Sequence, residues 1–108
     1  MAKFQRTYHE DFDTLLRKIE RAVLGGSLSA TLEEEADYRT PQGRCSIRVY
    51  ERYSYTGKNR VSMSVTVFQS GPDVEVCAIT SGGSQGVFFK LNTWGEEAFL
   101  ETLADALS

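Results

Sequence analysis

Two cysteines, two prolines, one histidine and one tryptophan are all that this 108-residue chain holds of those types, and each scarcity excludes something. Cys45 and Cys77 lack the CxxC spacing of a zinc or redox motif, and the strand alternation below sends them to opposite sheet faces. Free thiols are expected, without disulfide or metal. With His9 alone, a Ser–His or Cys–His nucleophile pair needs a tertiary meeting that no local elbow such as GxSxG prepares. Strand alternation also scatters Glu33, Glu34 and Glu35 to opposite faces, which denies them a shared cation. No catalytic residue, metal ligand or cofactor is therefore assigned. No apolar run nears the ~20 residues of a membrane span. The opening Met1-Ala2-Lys3-Phe4-Gln5-Arg6 has no signal-peptide core, so a cytoplasmic location without membrane contact is expected. Charge of one sign is lacking too: 12 Lys and Arg stand against 15 Asp and Glu, which does not favour nucleic acid.

The residues present suffice for one domain over 1–108 with a core of its own. Thr7-Tyr8-His9-Glu10 has capping-box spacing, and Phe12, Leu15, Leu16, Ile19 and Val23 follow as one apolar stripe until Gly25-Gly26. Thr93-Trp94-Gly95-Glu96 repeats the box before Phe99, Leu100, Leu103 and Leu107. These patterns predict helices over residues 8–24 and 94–107. Between them the period is two: Leu28, Ala30, Leu32; Cys45, Ile47, Val49; Val61, Met63, Val65, Val67; then Val74 to Thr80 and Val87 to Leu91. Short connections at Pro41-Gln42-Gly43, Gly57-Lys58-Asn59, Gly71-Pro72-Asp73 and Gly82-Gly83 leave no room for crossovers. The expected fold is an α+β two-layer sandwich, an antiparallel meander of about five strands with both helices on one face. Lys3 to Arg6 is a possible additional strand, and a helix-grip-like arrangement is the alternative.

A three-residue turn at Gly57 to Asn59 sets Tyr53 opposite Met63, Glu51 opposite Val65 and Val49 opposite Val67, while a turn at Ser70 to Asp73 sets Val65 opposite Ala78. On this register the arginines Arg44, Arg48 and Arg52 and Tyr50 point outward, and Glu35 falls opposite Arg48 and Glu33 opposite Tyr50 as cross-strand partners. The outward face then shows Tyr50, Phe68, Ile79 and Phe88 flanked by Arg48 and Arg52. An apolar open face of this kind commonly meets a partner. A closed homodimer is the simplest one. The same register puts the Glu51 carboxylate inward, where burial is costly unless it is paired or protonated. This marks a possible small-molecule pocket between sheet and C-terminal helix, lined by Glu51, Tyr53, Phe89 and Trp94. The alternative is a local bulge, or a structural partner for Glu51 such as a tyrosine or arginine.

The stretch Val76 to Lys90 reads as a hairpin about Gly82-Gly83, the glycines supplying positive φ. An anion cradle with Ser81, Ser84 and Lys90 is the rival, and it needs a helix directly after the loop. The segments Arg44 to Ser54, Ala78 to Lys90 and Trp94 to Leu100 resemble a family of small bacterial proteins known only as a domain of unknown function. That resemblance implies a single intracellular domain and supplies no activity, cofactor or catalytic residue. The function expected from the residues is a non-catalytic interaction or regulatory module that self-associates through the open sheet face. A small-ligand carrier or small enzyme at Glu51 is the alternative.

Overall fold

The computed structural model describes residues 1–26, 29–54, 59–82 and 89–107. The element order is β1 (Ala2–Tyr8), α1 (Phe12–Gly25), β2 (Thr31–Thr40), β3 (Gly43–Ser54), β4 (Asn59–Ser70), β5 (Asp73–Gly82) and α2 (Phe89–Leu107). The five strands form one antiparallel sheet in the order β1-β5-β4-β3-β2. Four strands thus follow as a meander, and the N-terminal strand returns to close the far edge beside β5. The second layer consists of α1 and α2. The α+β sandwich with an N-terminal and a C-terminal helix is as the sequence predicts.

The fifth strand is not the one expected. Residues 83–88 lie outside the described residues, and the chain is already helical from Phe89. The β5 edge expected to pair with Val87 to Leu91 is taken instead by β1, with Phe4 opposite Ala78 and Arg6 opposite Val76. Helix boundaries move as well. α1 is capped by Asp11, whose carboxylate accepts from the Thr14 amide at 3.0 Å, so Thr7 and Tyr8 are free to end β1. α2 begins four residues before Thr93, and the second capping box is an interior turn of that helix.

Phe12, Leu15, Leu16, Ile19 and Val23 of α1 and Phe99, Leu103 and Leu107 of α2 are buried, the stripes that periodicity marks. They cover the sheet face built from Val61, Met63, Val65 and Val67 of β4 and Val74, Val76, Ala78 and Thr80 of β5. The β4–β5 hairpin turns at Gly71-Pro72. Gly71 has φ 61, the left-handed geometry that a two-residue primed turn demands of its first residue. Val65 lies opposite Ala78, as the pattern requires.

The β3–β4 register departs from expectation by three residues, and an odd shift turns β3 over. β3 runs to Ser54 and β4 starts at Asn59, so Tyr50 pairs with Met63, Arg48 with Val65 and Glu51 with Ser62. Tyr50 is consequently fully buried under the helices, with Arg44, Ser46, Arg48 and Arg52 on its side. Cys45, Ile47 and Val49 face away from the helices. Cys45 joins Cys77 there, so the two free thiols share one face rather than lying on opposite ones.

This register is checkable by a pair of truncations. Tyr50→Ala is expected to lower unfolding free energy by about 3–5 kcal/mol, as large aromatic truncations in a core do. Val49→Ala, on the uncovered face, is expected to cost less than about 1 kcal/mol. Urea denaturation of both variants decides it; a larger loss for Val49→Ala would restore the register in which Val49 is the inner residue.

Candidate interaction surface

Flipping β3 changes the chemistry of both sheet faces. On the covered side its arginines reach helix acceptors. Arg44 grips Asp13 with two contacts, Nη1 to Oδ2 at 3.2 Å and Nη2 to Oδ1 at 3.1 Å, and its guanidinium stacks 4.1 Å from the centre of the Phe12 ring. Hydrogen bonding from Arg44 holds the Asp13 carboxyl below its ordinary pKa. Arg48 donates to Ser46 Oγ at 3.4 Å and stands 3.7 Å from both Glu20 of α1 and Glu35 of β2. Arg52 lies 4.6 Å from the Phe99 ring centre in α2, and burial lowers its pKa. A basic ladder for nucleic acid is therefore absent from the open face, and the expected interface residues Tyr50, Arg48 and Arg52 belong to the covered one.

The Glu35–Arg48 alignment is as expected, but a bulge at Glu33 puts Leu32 rather than Glu33 opposite Tyr50. Tyr50's hydroxyl is buried and has no hydrogen-bond partner among the described residues. Burial pushes its pKa up, and the neighbouring Arg48 opposes this in part.

Three cross-strand rows of the uncovered face span all five strands. Tyr38, Cys45, Phe68, Glu75 and Thr7 form the first; Ala36, Ile47, Thr66, Cys77 and Gln5 the second; Glu34, Val49, Ser64, Ile79 and Lys3 the third. Tyr38 on the β2 edge is 61 % exposed, and Phe68 and Ile79 on inner strands are 46 % and 41 %, high values for large apolar side chains on a sheet face. A shallow hollow of about 200 Å³ opens beside Tyr38, Cys45 and Phe68. Of the expected interface residues, Phe68 and Ile79 lie on this surface, while Phe88 is outside the described residues. Tyr38, Cys45, Ile47 and Val49 are the members that the sequence reading missed. One sequence signal for them was available: Asp13 and Glu20 sit two turns apart on α1, about 10 Å, near the ~13 Å between Arg44 and Arg48 on a strand. Acids at that spacing call for the arginine side of β3 and release its aliphatic side.

Glu51 also changes face. Its carboxylate accepts from Arg60 Nε at 2.8 Å on the uncovered side, so it does not line a space between sheet and α2. The partner is an arginine, the structural alternative that the sequence left open. Tyr53 stands on the same side opposite Arg60. Phe89 and Trp94 belong to the first two turns of α2, in the other layer. Among the described residues no group of three His, Cys, Asp or Glu side chains is placed to hold a metal ion. No described helix is long and apolar enough to cross a membrane.

A family model described as a family of unknown function (DUF6054) matches residues 1–108. No curated protein and no solved structure matches the chain.

The buried Tyr50 hydroxyl gives a pH dependence with a definite sign. A phenol whose folded pKa is raised contributes stability that is complete below its unfolded value near 10 and is lost as pH climbs through the folded value. Stability is expected to fall above about pH 10, and Tyr50→Phe to flatten that fall. Chemical denaturation from pH 8 to 11 reads it; an unchanged alkaline slope in Tyr50→Phe counts against the burial of this hydroxyl.

Proposed function

The chain belongs to this family of unknown function over its whole length, and from its uncovered sheet face we propose that it is a non-catalytic interaction module working as a homodimer in the bacterial cytoplasm. The carrying observation is the composition of that face. A helix-free sheet surface in water ordinarily alternates toward polar residues. Here Ile47, Val49, Phe68 and Ile79 share it with Tyr38 and two cysteines, set among serines and threonines. Apart from Glu75 beside Phe68, its centre is apolar and its charges stand at the margin, which is the anatomy of a contact surface. The five strands over their shared seven-residue span offer about 24 by 24 Å, roughly 570 Å² per copy, which for two copies clears the ~1,000 Å² expected of a specific interface. The free cysteines suit a reducing compartment.

Sedimentation at high micromolar concentration is expected to give two copies per particle. Phe68→Glu, a change at an exposed strand position, is expected to give monomers with an unaltered circular dichroism spectrum. A wild-type chain that remains monomeric under those conditions removes the reading.

A further inference from the structure

We propose that the two copies pack face to face about a two-fold axis running along β4, so that Lys3 of each meets the partner's Glu34. The inference rests on the open-face dimer just described and fixes its geometry. The row Lys3–Ile79–Ser64–Val49–Glu34 crosses all five strands, with a cation at the β1 edge and an anion at the β2 edge. Four strand spacings separate its ends by about 19 Å, too far for an ion pair within one chain. Both side chains are exposed, and neither makes an ion pair among the described residues.

β4 is the middle strand, so an axis along it keeps each row level and exchanges its ends. Lys3 then stands over the partner's Glu34 and Ile79 over the partner's Val49. In the next row Cys77 covers the partner's Ile47. At the far end the two Phe68 rings meet beside the hollow at Tyr38 and Cys45. The two copies repeat these contacts, as an isologous interface must. Strand directions stay within the ~30° of an aligned sandwich. An axis across the strands through Thr66 places Lys3 over the partner's Thr7, whose hydroxyl donates to Glu75, and Glu34 over the partner's Tyr38, so that Glu34 is left without a counterion. Charge complementarity therefore selects the first axis.

Equilibrium sedimentation of charge-swapped chains tests this. Lys3→Glu and Glu34→Lys are each expected to weaken the dimer about ten-fold, because each replaces two rim pairs by two repulsions. Mixing the two variants is expected to restore wild-type affinity, since the heterodimer holds a Lys–Glu pair at both ends. Circular dichroism checks that each variant folds. A wild-type dimer that ignores both swaps, or variants whose mixture stays weak, overturns the axis while leaving the open-face dimer standing. A dimer insensitive to Phe68→Glu, or a monomeric wild type, overturns both.

Discussion

The choice of which side of β3 faces the helices is the constraint on which the rest depends. Arg44, Arg48 and Arg52 cannot be turned under a helical layer unless that layer answers them, since an unpaired buried guanidinium is costly. α1 answers with Asp13 and Glu20 and with the Phe12 ring, and α2 with the Phe99 ring. Those contacts admit Tyr50 to the core and fix Tyr50 against Met63. They also place α1 over the β3 side of the sheet, leaving β5 and β1 to α2. Cys45, Ile47 and Val49 are then left outside, so the apolar open face is the consequence of where the arginines go.

The elements whose apolar pattern has one solution were legible. The stripes of α1 and α2 need only their own spacing, and β4 and β5 are one-sided because valines monopolise one parity. Gly71-Pro72 fixes their turn and hence their register. β3 has no such monopoly. Its two parities are Cys45, Ile47, Val49 against Arg44, Ser46, Arg48, Tyr50, and a transfer scale prefers the first inside. What reverses the preference is tertiary: the acids and rings of two helices distant in sequence. The three-residue register error follows from the same ambiguity, because nothing in Tyr53 to Arg60 decides the turn length. Phe68 and Ile79 were legible on the open face because β4 and β5 were; Tyr38 was not, since it lies opposite Cys45 and follows β3 to whichever face β3 presents.

The missing return strand has a different cause. Val87 to Lys90 is β-prone in isolation, but β5 has one free edge and β1 occupies it along seven residue pairs. A strand near the N-terminus, pairing across most of the chain length, leaves no local sequence signal in the segment it displaces. The consequence reaches the glycine-rich stretch after β5, which leads into a helix. A helix following the glycines is the condition an anion cradle needs, and α2 begins at Phe89, while residues 83–88 lie outside the described residues.

Among the described residues the sheet has two free edges as well as one free face, and the edges are built against association. β2 is exposed at nine of its ten positions and carries Glu33, Glu34, Glu35 and Asp37, with a bulge at Glu33 that breaks the ladder. Two such edges meeting antiparallel would bring acid against acid, which is how natural sheets discourage edge pairing. β1 carries Lys3 and Arg6, so two β1 edges repel in the same way. A β1 edge attracts a β2 edge, yet both strands run in the same direction, and that union is parallel and does not close. Face-to-face packing is the arrangement that closes after two copies while bringing the acidic β2 margin against the basic β1 margin. The charges that protect the edges thus become the rim of the face.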